Sequence, residues 1–213
     1  MKQIIKSTEN LLRVRFEEEC TGHDWFHLNR VRNLALHIHQ RENAGNPFTI
    51  EMVALLHDYY DDKLWNESSK KREELDQFLR QDLDDHYVEQ ILTTIDSISY
   101  KGGHGKPLTS IEAKIVQDAD RLDAIGAIGI ARTFAYGGKI GQPIHNPEIQ
   151  IRTSMSYEEY RHEKTTSINH FYEKLLKLKD LMQTKTGKKI AEERHQFMEE
   201  FLRRFWKEWN GEQ

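Results

Sequence analysis

Apolar residues recur at helical spacing along nearly the whole chain, and no other feature constrains the fold as strongly. This spacing is typical of amphipathic α-helices, whereas the strict alternation that marks half-buried strands is nearly absent. The clearest stripes lie near the two ends of the sequence: Ile4, Ile5, Leu11, Leu12 and Phe16, then Phe197, Phe201, Leu202, Phe205 and Trp206. The pattern predicts an all-α protein, a compact bundle of roughly eight to ten helices.

The length of 213 residues suits one large domain better than two small ones. We therefore predict a single domain over residues 1–213. Residues 137–165 interrupt the helical pattern with three glycines and two prolines: Gly137, Gly138, Gly141, Pro143 and Pro147. Because loops this long inside compact domains are usually functional, we expect this segment to be a long loop or lid.

The charge and the cysteine content exclude several classes of protein. The net charge is −4 and no basic stripe is present, so we expect no nucleic-acid partner. The lone Cys20 cannot form an intramolecular disulfide, which fits a reducing cytoplasm. No signal-peptide core follows Met1, and no apolar run approaches the roughly 20 residues that span a bilayer. We expect a cytoplasmic protein without a membrane partner.

The most apolar segment of the chain ends in a histidine–aspartate pair. Residues 53–56 are apolar on nearly every side, which predicts a helix at the centre of the domain, with Thr49 as its N-cap. His57 and Asp58 follow directly. A His-Asp dipeptide is common by chance in any protein, but burying a charged carboxylate without a partner costs free energy. A divalent cation would satisfy both side chains, because imidazole nitrogens and carboxylate oxygens are common metal ligands.

Further candidate ligands lie upstream and downstream of this pair. His27 belongs to the preceding predicted helix. Asp120 lies with Asp118 and Asp123 in an acidic cluster inside an otherwise apolar helical run. Carboxylates in such a run require a cation or hydrogen-bond donors. The residues alone leave open which carboxylate of the cluster is the ligand.

A different metal site is also open on spacing alone. His23 and His27 are four residues apart, which is the spacing of the two histidine ligands on a zinc-protease helix. The acid between them is Asp24 rather than the longer glutamate, and Gly22 places His23 at the start of the helix. This alternative predicts that His23→Ala abolishes metal binding while Asp120→Ala does not.

Several stretches share their order and spacing with a known family: His23-Asp24 with His27, Leu55-Leu56-His57-Asp58 with Asp61 and Lys63, then residues 99–102 and 118–126. Over nearly its whole length the chain resembles the HD superfamily of metal-dependent phosphohydrolases, and more narrowly the small bacterial HD-domain proteins of the YpgQ/YedJ type. The resemblance implies the HD-domain fold and one divalent ion, whose ligands would be His27, His57, Asp58 and Asp120. Mixed imidazole and carboxylate ligands favour Mn²⁺, with Mg²⁺, Ni²⁺, Fe²⁺ and Co²⁺ as alternatives.

The resemblance also implies two catalytic residues close to the ligand pair. Asp61 follows the pair by about one helical turn, so we expect it to accept a proton from the attacking water. A solvent-facing acid at a helix end fits the spacing of Asp61 equally well, and only the resemblance favours the catalytic role. Lys63 is expected to neutralise charge on the phosphates during the reaction.

Four further residues are expected to contact the substrate. Lys101 lies in a glycine-containing segment that lets the backbone approach a ligand closely, and Arg121 follows a proposed metal ligand. Both would neutralise phosphate charge. His23 and Asp24 would touch a phosphate or orient His27.

The relatives implied by this resemblance hydrolyse nucleoside triphosphates, with deoxynucleotides as favoured substrates. The expected products are the monophosphate and pyrophosphate, formed by attack of a water that the metal activates. A nucleotide monophosphatase or a phosphodiesterase of the same fold is the alternative, and a metal-bound nucleotide sensor with little turnover is a second one. A homodimer is the commonest assembly of soluble proteins, although no feature of the sequence requires it.

Overall fold

The computed structural model describes residues 1–17, 22–61, 67–98, 108–152 and 165–212. These residues form helices and irregular connections, with no strand among them. The all-α fold class predicted from the apolar spacing is therefore confirmed. Within the same ranges, no helix is both long enough and apolar enough to cross a lipid bilayer.

The chain divides into two compact units, residues 1–120 and residues 121–213. The first unit contains α1 (Lys2–Arg15), α2 (Trp25–Glu42), α3 (Pro47–Leu56), α4 (Ser68–Leu79), α5 (Asp85–Ile98) and most of α6 (Ile111–Asp123). The second unit contains α7 (Gly126–Lys139), α8 (Ser167–Glu173), the 3₁₀ helix η1 (Leu175–Leu181) and α9 (Lys185–Trp209). Whether the two units form the single domain that the length predicts stays a prediction.

Helix α3 is the centre of the first unit. Eight of its ten residues are buried, and it packs against α1, α2 and α5. Its N-cap is Asn46, whose side chain accepts hydrogen bonds from the backbone N–H groups of Phe48 and Thr49. The predicted cap at Thr49 is therefore wrong. Pro47 occupies the first turn, where its missing N–H costs nothing, so Asn46-Pro47 starts the helix three residues earlier.

In the second unit, α7 runs through Gly137 and Gly138 and ends at Lys139, past the predicted start of the loop. A Cβ atom on Gly137 would lie 2.4 Å from the Ser167 hydroxyl, so glycine permits this close approach to α8. Residues 140–152 are irregular and are joined to the start of α8 by backbone hydrogen bonds from Ser167 and Ile168. The rest of the predicted lid, residues 153–164, lies outside the described residues.

Candidate metal centre

His27 is placed by the first turn of α2. Asp24 is the N-cap of this helix, and its carboxylate accepts a hydrogen bond of 2.8 Å from the backbone N–H of His27. The His27 side chain is completely buried. The Asp24 carboxylate thus fixes the backbone that carries His27, which is the orienting role that was one of the two expected for Asp24.

His57 and Asp58 lie directly after the last turn of α3. The His57 Nδ1 atom lies 2.8 Å from the carbonyl oxygen of Ala54. A carbonyl oxygen only accepts hydrogen bonds, so Nδ1 must carry the proton and donate it. This contact orients the ring and presents the opposite nitrogen, Nε2, to the centre of the site. Among the described residues, the buried Nε2 atom of His57 has no hydrogen-bond partner.

Asp120, on α6, completes a cluster of four side chains, all within the first unit. Each histidine Nε2 atom lies close to one oxygen of each carboxylate. The distances are 3.5 Å from His27 to Asp58 Oδ2, 3.5 Å from His27 to Asp120 Oδ1, 3.4 Å from His57 to Asp58 Oδ1, and 3.7 Å from His57 to Asp120 Oδ1. The structure therefore brings together four side chains that are up to 93 positions apart in the sequence, His27 to Asp120.

These distances fit a common metal ion. Zinc and similar divalent ions hold nitrogen and oxygen ligands at about 2.0–2.2 Å, so two ligands at a tetrahedral angle lie about 3.4 Å apart. The four observed nitrogen–oxygen distances lie close to this value. One group that could hold an ion contains His27, His57 and Asp120, with its ligand atoms within 4.8 Å of one another.

The electrostatics of the cluster also favour a cation. Burial disfavours a charged imidazole, but the carboxylates of Asp58 and Asp120 outweigh burial and raise the pKa of His57 to about 10. Burial likewise opposes ionisation of the two carboxyl groups, yet the neighbouring histidines hold the pKa of Asp58 and that of Asp120 below their usual range. The carboxylates thus attract a positive charge into a buried place, and a metal ion would compete with the proton there.

His23 contacts the same cluster. Its Nδ1 atom lies 2.8 Å from Asp58 Oδ2, and its side chain is about one-third exposed. His23, His27 and Asp58 form a second group that could hold an ion, and it shares His27 with the first. The first group contains His57 and Asp120 where the second contains His23 and Asp58, and Asp24 caps α2. The choice of ligands therefore stays a prediction, and His23 lies beside a candidate ligand.

The other acidic residues near Asp120 have different surroundings. Asp118 is completely buried, and Asp123 pairs with Arg132 at 2.7 Å in the second unit. A guanidinium already neutralises Asp123, whereas Asp120 faces both His27 and His57. The choice of Asp120 among the three carboxylates agrees with this geometry.

For the remaining candidate residues, the structure gives a backbone contact for Asp61 and a side-chain contact for Arg121. The backbone N–H of Asp61 donates to the carbonyl oxygen of Asp58 at 3.4 Å, so Asp61 belongs to the same turn as the ligand pair. Lys63 and Lys101 lie outside the described residues. Arg121 belongs to the second unit, where its guanidinium donates to the carbonyl oxygen of Leu181 at 2.5 Å.

Two further contacts hold the turn after α3 and were not predicted from the sequence. Arg15 donates to the carbonyl oxygen of Tyr59 at 2.9 Å. The Tyr60 hydroxyl donates to Asp96 at 2.8 Å, and Arg72 donates to the same carboxylate through two nitrogens. The partners are distant in the sequence, and a charged residue on an amphipathic helix gives no signal of its own.

The chain is similar in sequence and in structure to a known bacterial protein. No family model matches the chain. The chain is 38% identical over 197 residues to the uncharacterized protein YpgQ of Bacillus subtilis, covering 91% of this chain and 88% of YpgQ. A crystal structure of YpgQ in complex with ADP has a TM-score of 0.74 to this chain and 34% identity, covering 94% of this chain and 97% of YpgQ.

Two other solved structures are similar over nearly the whole chain. A Lactobacillus plantarum protein has a TM-score of 0.87 and 38% identity, covering 100% of this chain and 99% of its own. A protein from Bacillus thuringiensis, described as an HD-superfamily hydrolase, has a TM-score of 0.76 and 41% identity, covering 98% of both chains.

Proposed function

Because this chain belongs to the HD superfamily of hydrolases, we propose that it hydrolyses nucleoside or deoxynucleoside triphosphates to the monophosphate and pyrophosphate. The family assignment confirms the resemblance found in the sequence and makes the protein a metal-dependent hydrolase. The observation that carries the proposal is the cluster of His27, His57, Asp58 and Asp120, in which two carboxylates face two imidazoles. The side chains of His27, His57 and Asp58 are buried, and that of Asp120 is 44% exposed.

These four side chains would hold one divalent ion, with Mn²⁺ as the favoured metal. A divalent ion bound there would polarise a phosphoryl oxygen and lower the pKa of a water. His57 keeps its Nε2 atom available as a ligand because Nδ1 is engaged by Ala54. His23, held against Asp58, orients that carboxylate.

The proposed reaction is a single displacement at phosphorus. A water oxygen bonds to the α-phosphorus while the bond from that phosphorus to the bridging oxygen breaks, and pyrophosphate leaves with the electron pair. Asp61 accepts the proton of the attacking water, since it lies in the turn that carries Asp58. We assign charge neutralisation on the phosphates to Lys63 and Lys101.

A nucleotide as substrate is supported by two observations. YpgQ, at 38% identity, has been crystallised with ADP. Phe26, next to His27 on the first turn of α2, is 64% exposed, although most large apolar side chains of this unit are buried. An exposed aromatic ring can stack on a nucleobase, and Phe26 directly precedes a candidate metal ligand in the sequence. We therefore propose that Phe26 contacts the base.

The test is to incubate the purified chain with each nucleoside triphosphate and Mn²⁺ in ¹⁸O-labelled water and to follow the products by phosphorus NMR. Pyrophosphate together with a labelled monophosphate is the expected result, because attack at the α-phosphorus places the label there. A nucleoside monophosphate and a phosphodiester are assayed in parallel. Orthophosphate from the monophosphate alone would indicate a monophosphatase, cleavage of the diester alone would indicate a phosphodiesterase, and no turnover of any of these substrates would indicate a sensor. Asp58→Ala is the matched control and should release no product.

A further inference from the structure

The last turn of α1 places two arginines on aromatic rings. The guanidinium carbon of Arg13 lies 4.1 Å from the ring centroid of Trp25, and that of Arg15 lies 4.0 Å from the ring centroid of Tyr59. Both distances are well within the range of a cation–π interaction. Arg15 also donates from Nη2 to the carbonyl oxygen of Tyr59, so it holds both the side chain and the backbone of that residue.

Both rings belong to segments that carry candidate metal ligands. Trp25 is the first residue of α2 and precedes His27 by two positions. Tyr59 directly follows Asp58. The rings are nearly buried, with 7% of Trp25 and 4% of Tyr59 exposed. Cation–π contacts are stronger when the partners are removed from water, so the contact of the half-buried Arg15 is the stronger of the two and that of the exposed Arg13 the weaker.

Helix α1 itself supplies no candidate ligand among His27, His57, Asp58 and Asp120. It nevertheless contacts two segments that carry candidate ligands, because Arg13 lies on Trp25 at the start of α2 and Arg15 lies on Tyr59 in the turn after α3. His27 and Asp58, the ligands next to the two clamped rings, lie 3.5 Å apart. Metal affinity depends on how well such donors are held in place before the ion arrives.

We propose that Arg13 and Arg15 are positioning residues that raise the affinity of the site for a divalent ion without touching it. The inference rests on the proposed metal-dependent function. Each arginine fixes one ligand-bearing segment relative to α1, so the two segments keep the spacing that the ion requires. Loss of one arginine frees one segment, and loss of both frees the two segments relative to each other.

The experiment measures Mn²⁺ binding to the full chain by calorimetry, after removal of metal with a chelator. Arg15→Ala is expected to weaken Mn²⁺ binding about tenfold, comparable to the loss of residues that orient ligands. Arg13, which is exposed, should contribute less, with a loss of about threefold. The double variant should lose more than the product of the two single effects, because the two segments would then move independently.

Three further measurements separate positioning from general stability. Arg15→Lys keeps the charge and should recover most of the affinity. The visible absorption of bound Co²⁺ should change in Arg15→Ala, because the ligand geometry around the ion relaxes. Arg80→Ala is the matched control, since among the described residues Arg80 forms ion pairs with Asp76 on α4 and Asp85 on α5, and neither helix carries a candidate ligand. It should leave both affinity and spectrum unchanged.

The results distinguish this inference from the proposed function. If the unchanged chain binds no Mn²⁺, both fail. If it binds Mn²⁺ and Arg15→Ala binds equally well with the same Co²⁺ spectrum, only the positioning role is overturned. An equal loss in Arg80→Ala would also overturn it. Should Arg15→Ala not fold, Arg13→Ala decides the question, because an unchanged Mn²⁺ affinity and an unchanged Co²⁺ spectrum in that variant contradict the inference.

Discussion

Two buried carboxylates, one in each unit, are equally hidden from solvent but differ in what neutralises them. Asp58 in the first unit and Glu173 in the second are each 5% exposed. Glu173 pairs with Arg152 at 2.6 Å and accepts further hydrogen bonds from the Arg152 backbone and from Thr165. Asp58 instead faces the imidazoles of His23 and His57.

The difference teaches how to tell a structural carboxylate from a candidate metal ligand. A guanidinium is always charged and its planar fork matches a carboxylate, so the Arg152–Glu173 pair is complete in itself. An imidazole is a weak base whose neutral nitrogen can also bind a metal, so the Asp58 cluster can exchange its proton for a cation. Burial alone does not distinguish the two cases, and the chemistry of the partner does.

The strongest test of this comparison is Asp58→Asn, which keeps the shape of the side chain and removes its charge. Residues that only support ligands cost about 10–100-fold when they are changed, so loss of a ligand should weaken Mn²⁺ binding about a thousandfold. Hydrolysis at limiting Mn²⁺ should fall in proportion. Calorimetry with Mn²⁺ measures the affinity, and an unchanged affinity would remove Asp58 from the ligand set.

The same variant should lose the stabilisation that the metal provides. An ion at about 100 times its dissociation constant stabilises the folded state by about 2.7 kcal/mol. Thermal unfolding of the unchanged chain should therefore shift upward with Mn²⁺, and unfolding of Asp58→Asn should not shift at the same concentration. A shift that persists in the variant would mean that the stabilising ion binds elsewhere.

In the second unit, Glu173→Gln should reduce stability, because Glu173 belongs to a structural ion pair and not to the candidate metal centre. Breaking a buried ion pair leaves the Arg152 guanidinium without its counter-charge, and the free energy of unfolding should fall by about 3 kcal/mol. Denaturant unfolding measures this change. Glu200→Gln on α9 is the control, because Glu200 also pairs with arginines, Arg203 and Arg204, but at the surface, and its loss should change little.

Mn²⁺ binding sharpens this prediction. Because Glu173 lies in the second unit and the four candidate ligands lie in the first, Glu173→Gln should bind Mn²⁺ as tightly as the unchanged chain once both are folded. The two substitutions would then separate metal binding from stability. A parallel loss of Mn²⁺ affinity in Glu173→Gln would contradict the division drawn between the two carboxylates.

The stability difference between the unchanged chain and Glu173→Gln should also depend on pH. Burial disfavours the Glu173 carboxylate, but hydrogen bonds from Arg152 and Thr165 outweigh this and lower its pKa from the ordinary value of 4.5. Because the pKa is lower in the folded state, the stabilisation is complete well above pH 4.5 and decreases as the pH falls through the folded-state pKa. The denaturant midpoints of the unchanged chain and of Glu173→Gln should therefore converge at low pH. A difference between the two midpoints that stays constant with pH would contradict the Arg152–Glu173 ion pair.

The fold class and the site candidates were predictable because their signals are local or belong to a known motif. Apolar spacing reports the helices directly, and the run before His57 predicted the buried central helix. The N-cap was misplaced because Asn46 and Thr49 are both good cap residues, and only the orientation of the backbone N–H groups decides between them.

The supporting contacts were not predictable, for a physical reason. The Arg15–Tyr59 hydrogen bond joins residues 44 positions apart, and an arginine at the end of a surface helix is usually solvated. The end of α7 depends on the space that Gly137 leaves for Ser167, which no local pattern contains. Interactions of this kind come from packing between helices, so they follow from the fold and cannot be derived before it is known.

The smallest expected effect concerns Phe26, the exposed residue that directly precedes His27. If the ring stacks on the base, Phe26→Ala should raise KM for nucleoside triphosphates about fivefold, since stacking on one aromatic face contributes about 1 kcal/mol or more. Inorganic tripolyphosphate has no base, so the affinity for it, measured by competition against a nucleotide, should not change. Phe197→Ala, in the second unit and 53% exposed, is the control and should leave both values unchanged. An equal loss of affinity for tripolyphosphate would place the effect of Phe26 on the phosphates or the metal ligands rather than on the base.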